Sequence, residues 1–108
     1  MIRMPADGRI AMPRVFLIVH GIVQGVGYRA LVSGCAARCG IRGFVRNAED
    51  GSVEILCEAK KDAIDKFVRE INVDTEHGPR VFRIEIGADR LDDFKDERYE
   101  GFSISESA

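Results

Sequence analysis

Arg14-Val15-Phe16-Leu17-Ile18-Val19-His20 runs directly into Gly21-Ile22-Val23-Gln24-Gly25-Val26-Gly27-Tyr28-Arg29, and from there into a segment where Leu31, Cys35 and Cys39 recur at every fourth position. The first seven residues are mostly β-branched, aromatic and apolar, which predicts a short buried strand ending at Gly21. The third segment, with Val32 and Ala36 beside its repeat, predicts an amphipathic helix over residues 28–39 that Gly40 stops as a C′ glycine. Gly34 inside that helix costs about 1 kcal/mol relative to alanine, so either packing overrides propensity there or a neighbour needs close approach. The glycines between strand and helix let the chain turn sharply and aim successive backbone N–H groups at a single anion. A strand–glycine loop–helix order also sets the unpaired N–H groups and positive dipole end of the helix beside that loop. Arg29 adds a planar fork of donors suited to phosphate oxygens, and a cation at a helix start, unfavourable by itself, favours an anionic partner. Read alone, the glycines equally suit a plain connecting turn.

Residues 42–48 and 52–59 read as two strands joined by Glu49-Asp50-Gly51, since Asp-Gly between alternating segments marks a hairpin. Val53, Ile55 and Cys57 share one face, while Glu54, Leu56 and Glu58 share the other, which predicts a core side and a partly wet side. In the preceding strand Val45 and Asn47 lie on one face and Phe44 and Arg46 on the opposite one, leaving an amide at the end of a core-facing row. Ile64, Phe67, Val68 and Ile71 predict a second amphipathic helix over residues 61–72. His77-Gly78-Pro79 breaks the chain. Residues 80–88 then read as a half-buried strand, with Phe82, Ile84 and Ile86 alternating against Arg83 and Glu85. Residues 89–100 carry both charge signs and read as a solvated loop, and Phe102 with Ile104 marks a short closing strand. The order is β-α-β-β-α-β plus a short C-terminal strand. This is an α+β, ferredoxin-like pattern: an antiparallel sheet with two helices on one face.

The 108 residues suit one domain, and 45% hydrophobic content lets it bury roughly two-thirds of its unfolded surface. Residues 1–12, with Pro5 and Gly8 and no sustained period, read as an arm outside a domain spanning residues 13–108. A formal net charge of −2 argues against an extended grip on nucleic acid, so any anion site is local. No apolar run is long enough to span a bilayer and the start lacks a secretory signal pattern, so a cytoplasmic location without membrane association is expected. Cys35, Cys39 and Cys57 form no Cys-x-x-Cys pair. Cys35 and Cys39 share a helical face, but two ligands fall short of a structural zinc site, and buried apolar thiols are the expectation.

At this point the chain resembles the acylphosphatases over about residues 14–105. One segment carrying the resemblance is residues 21–29, similar to that family's glycine-rich loop ending in an aromatic or apolar residue and arginine. The other is Gly43-Phe44-Val45-Arg46-Asn47 with Asp50-Gly51 and Val53, similar to its asparagine-bearing strand and hairpin. Tyr28 stands where phenylalanine is commoner, and Ala59 where glycine often is. The resemblance implies hydrolysis of a carboxylic–phosphoric anhydride to a carboxylate and inorganic phosphate, without metal, cofactor or covalent intermediate. It implies that Arg29 and the N–H groups of Gln24, Gly25, Val26, Gly27, Tyr28 and Arg29 hold the phosphoryl oxygens. It also implies that Asn47 orients the attacking water. Such chemistry asks mainly for positioning and charge stabilisation, because the leaving group is already good.

The residues alone leave other readings open. Asparagine near a turn is commonly a local backbone-bonding residue. His20 borders the loop, but a strand-end histidine is more often filler, and the implied mechanism does not require it. His77, in a turn, takes no catalytic role. A non-catalytic phosphate- or RNA-binding module on the same fold is the rival class, although the chain lacks the paired aromatics and basic context of an RNA-binding sheet. Larger carbamoyl-transfer maturation proteins carry a similar N-terminal domain followed by cysteine-rich zinc motifs; a stand-alone enzyme, monomeric, is expected here.

Overall fold

The computed structural model describes residues 12–106, so the arm expected at residues 1–12 lies outside the described residues except for Met12. Five strands, β1 (Arg14–Ile22), β2 (Arg42–Asn47), β3 (Val53–Glu58), β4 (Arg80–Ile86) and β5 (Phe102–Ile104), form one sheet in the order β4-β1-β3-β2-β5. Helices α1 (Tyr28–Cys39) and α2 (Lys61–Ile71) complete the expected α+β architecture. The first four strands pair antiparallel, whereas β5 runs parallel to β2, with Val45 opposite Ile104. The sheet is therefore mixed.

Both helices cover one face. Leu17, Val19, Val45, Val53, Ile55 and Cys57 from the strands meet Tyr28, Val32, Cys35, Ala36, Ile64, Phe67 and Ile71 from the helices in the main core. The buried stripe of α1 is centred on Tyr28, Val32, Cys35 and Ala36, while Leu31 and Cys39 sit at its margins. Gly40 ends α1 in the left-handed conformation (φ 68°), as expected of a C′ glycine.

On β2 and β3 the opposite face is covered, while its β4 end, with Arg83 and Glu85, stays exposed, and residues 89–100 are not a solvated loop throughout. A 3-10 turn over Ala88–Phe94 folds back so that Leu91, Phe94 and Tyr99 pack on a second cluster of Phe16, Phe44 and Leu56. Phe94 stacks on Phe16 with ring centroids 5.7 Å apart. The charges here are absorbed in pairs: Glu54 takes Arg46 Nε and Arg90 Nη1, each at 2.9 Å, and Glu58 takes Arg14 Nε at 2.6 Å and Arg42 Nη2 at 2.9 Å. Two buried carboxylates are thereby neutralised, which makes their burial tolerable. Alternating charge along the sequence hid this, because the apolar residues that matter are only Leu91, Phe94 and Tyr99.

Strand β1 also runs further than expected, through Gly21 to Ile22. The pairing with β4 shifts between His20 and Gly21, so that Phe82 is an extra residue on β4, a β-bulge. Gly21 makes this possible: a Cβ there would lie 2.1 Å from the carbonyl oxygen of Arg80. The bulge breaks the expected alternation, leaving Val81 and Ile84 against the core and Phe82 66% exposed.

Candidate functional site

The loop of residues 23–27 joins the end of central strand β1 to α1. Gly25 (φ 74°) and Gly27 (φ 79°) both take left-handed backbone conformations that L side chains adopt rarely, and neither would meet a neighbour through an added Cβ. Gly27 is the N-cap of α1, with no side-chain cap and no acidic residue in the first turn. The Leu31 N–H closes on the Gly27 carbonyl at 3.1 Å, and among the described residues no backbone carbonyl takes the N–H groups of residues 24–30. The free N–H groups at the start of α1 lie at the positive end of the helix dipole, an arrangement suited to an anion.

A concavity of about 220 Å³ opens here, lined by Val23, Gly25, Gly27, Tyr28, Arg29, Ala30 and Ile104. Arg29 makes no hydrogen bond or ion pair among the described residues. Its guanidinium is thus not spent on a carboxylate of the described residues. Tyr28 contributes its backbone to the loop and its ring to the core. The ring is buried, and its hydroxyl donates to the Ile71 carbonyl at 2.8 Å, pinning the first turn of α1 to the last residue of α2. Burial pushes that phenol well above its ordinary range, with a smaller contribution from Cys35.

The second part of the site arrives from the hairpin. Asn47 ends β2 opposite Val53, and its Oδ1 is buried without a hydrogen-bond partner among the described residues. An orphaned buried amide oxygen is costly and unusual in a folded protein, which marks it for a ligand or water contact. Gln24 ties this end of the hairpin to the loop: its Nε2 donates to the carbonyls of Ala48 and Ser52, both at 2.8 Å. The hairpin is locked locally as well. Asp50 Oδ1 accepts from the Ser52 N–H at 3.0 Å and from the Ser52 hydroxyl at 2.6 Å, which holds its carboxyl below the ordinary range.

Of the residues expected to form the site, Gly25, Gly27, Tyr28 and Arg29 line one concavity, Val26 packs against the core, Gln24 turns its side chain to the hairpin, and Asn47, coupled to the loop through Gln24, does not line that concavity itself. The side-chain tie of Gln24 and the apolar wall supplied by Ile104 were missed from sequence. The first depends on a hairpin 24 residues away and the second on the parallel placement of β5. His20 points to Glu85, with Nε2 and Oε1 2.9 Å apart. The thiols of Cys35, Cys39 and Cys57 are free, and desolvation pushes each upward. Among the described residues no three acidic, histidine or cysteine side chains gather as a metal site would require, and no helix is long and apolar enough to cross a membrane.

Comparison with known proteins gives consistent matches. The family model described as Acylphosphatase matches residues 15–104. A curated acylphosphatase of Thermus thermophilus is 40% identical over 74 residues, covering 68% of this chain and 80% of its own length. The crystal structure of acylphosphatase from Bacillus subtilis superposes with a TM-score of 0.72 at 33% identity, over 85% of this chain and 97% of that one. Full-length HypF, crystallised in a phosphate- and nucleotide-bound form, also superposes (TM-score 0.68, 25% identity), over 93% of this chain but 13% of that much longer one.

Proposed function

Since the chain belongs to the acylphosphatase family and is a hydrolase of acyl phosphates, we propose that the loop of residues 24–29 holds the phosphoryl group while Asn47 orients the water that attacks it. The phosphoryl oxygens take the N–H groups of residues 24–29 and the fork of Arg29, which together neutralise charge on the transferring group. Water attacks phosphorus in line with the anhydride oxygen. The P–O bond to the acyl group breaks with its electron pair, leaving a carboxylate, and the proton of the attacking water passes to a phosphoryl oxygen or to that carboxylate. Asn47 serves by hydrogen bonding and not as a base, since its amide has no proton-accepting group of suitable pKa.

The observation that carries this reading is the buried Oδ1 of Asn47, without a partner among the described residues, on a hairpin that Gln24 fastens to the loop. The test is hydrolysis of benzoyl phosphate in the presence of a chelator by the parent chain, Arg29→Gln and Asn47→Ala, with phosphate binding followed by calorimetry. Arg29→Gln is expected to lose phosphate affinity and turnover together. Asn47→Ala is expected to lose turnover while keeping phosphate affinity. Near-normal turnover in Asn47→Ala would remove the water-orienting role, and phosphate binding by a folded parent chain that hydrolyses nothing would favour a binding module instead. We further place the protein in the cytoplasm, acting on a small-molecule acyl phosphate with no nucleic-acid partner, in keeping with its net charge of −2.

A further inference from the structure

Strand β4 closes one end of the sheet, and among the described residues its outer edge is covered only where the strand begins. There the Val81 N–H donates to the Val73 carbonyl at 2.8 Å, and Asp74 bridges to Arg80 in both backbone and side chain. Beyond that point residues 82–86 have no neighbouring strand among the described residues. Phe82 is 66% and Ile86 60% exposed. Between them Arg83 Nη1 lies 3.6 Å from Glu85 Oε1, on the face where Glu85 also meets His20. The Gly87 N–H donates inward to the Phe16 carbonyl. By the alternation of an antiparallel ladder, the backbone groups of Ile84 and Ile86 therefore point outward to the open edge.

We propose that this edge pairs with the same edge of a second copy of the chain, antiparallel about a two-fold axis at Ile84. In that register Ile84 faces its own counterpart as a hydrogen-bonded pair and Phe82 faces Ile86. Arg83 faces Glu85 twice, as a non-hydrogen-bonded pair of the type that brings side chains closest. Centring the axis on Arg83 or on Glu85 would instead set like charges opposite each other and oppose backbone groups that point inward. The open window is filled from end to end: residues 73–75 stop it beside Val81, and the turn at Gly87 stops it after Ile86. Edge strands ordinarily carry charge that repels a second strand. Here opposite signs two residues apart make the edge self-complementary, as a two-fold interface requires.

The proposal replaces the monomer expected from sequence, in which an unbroken alternation of Phe82, Ile84 and Ile86 turned these side chains toward the core. A short edge falls below the roughly 1,200 Å² of a stable interface, so the dimer is concentration dependent. Hydrolysis per chain is expected to stay unchanged, because none of residues 82–86 lines the concavity.

Sedimentation velocity on the full chain from about 1 μM to about 1 mM tests this, with benzoyl phosphate hydrolysis per chain as a control for folding. A reversible dimer is expected. Arg83→Glu or Glu85→Arg alone is expected to weaken it about tenfold, and the two together to restore it. Phe82→Ser, at a position too exposed to matter for folding, is expected to weaken it as well. A monomer throughout the range would overturn the proposal. So would a dimer that all three single substitutions leave within about twofold of the parent, or one that the double charge exchange fails to restore.

Discussion

Substituting Gln24→Met separates positioning from phosphate binding. Methionine keeps the length of the side chain and the backbone N–H of residue 24 but removes both donors to the hairpin. Each of those bonds contributes about 1 kcal/mol net. Neither acceptor is stranded by the loss, because the Ala48 carbonyl also takes the Gly51 N–H at 3.2 Å and the Ser52 carbonyl takes the Ala48 N–H at 2.9 Å. The fold is therefore expected to lose about 2 kcal/mol at most. On the proposed roles, a loosened hairpin would misplace Asn47 relative to the phosphoryl group. A cost of 1.4 to 2 kcal/mol in the transition state lowers kcat roughly tenfold to thirtyfold. Initial rates on benzoyl phosphate would give kcat and KM separately, and calorimetry the affinity for phosphate, which is expected to change little. In an Asn47→Ala background the same substitution is expected to cost no further activity, since Gln24 acts through Asn47. A kcat within about threefold of the parent, alongside a lowered Tm, would refute the positioning role and leave Gln24 as a structural tie only.

Other outcomes follow from the two faces of the sheet. Phe94→Ala empties the space between Phe16 and Phe44 and is expected to lower stability by about 2 kcal/mol in urea titration, with kcat on benzoyl phosphate preserved. Glu54→Gln leaves Arg46 and Arg90 without their shared charge. Because both arginines are partly exposed, a loss of about 2 kcal/mol in the same titration is expected rather than the 3 to 5 of a fully buried pair. Gly43→Ala drives a Cβ to 1.9 Å from the Leu56 carbonyl oxygen, so the variant is expected to lose the cooperative thermal transition seen by circular dichroism. Ser52 holds the folded Asp50 carboxyl below its unfolded value, so the stabilisation is present above the unfolded value and disappears as pH falls through the folded one. Asp50→Asn is expected to flatten the acid limb of a Tm-versus-pH curve.

Elements set by local pattern were legible from sequence. The helix over residues 28–39 and its glycine stop, the hairpin at Asp50-Gly51 and the apolar stripe of α2 follow from periodicity and turn chemistry alone. What depends on contacts between distant segments was not legible. The bulge at Phe82 needs the register of β4 against β1, and the apolar cover over Phe16, Phe44 and Leu56 needs residues 88–99 to return across the sheet. The candidate site divides in the same way. The left-handed glycines and bare helix start of the loop are local properties, readable in residues 21–29. The tie from Gln24 is a long-range contact between motifs that sequence identified separately.

Strand β1 has a consequence for how the protein is made. Its neighbours in the sheet are β3 and β4, and Leu17 sits between Ile55 and Ile86. Closing such long chain loops before any pairing is rewarded makes folding slow compared with helical domains of this size. On a ribosome, the residues proposed to hold phosphate leave the exit tunnel ahead of β4, yet the strand that aims them has no second flank until residues 80–86 follow. A nascent chain cut short before β4 would leave one side of an apolar strand unpaired, and chaperone binding at that length, followed by release once β4 emerges, is what pulse-labelled synthesis would detect.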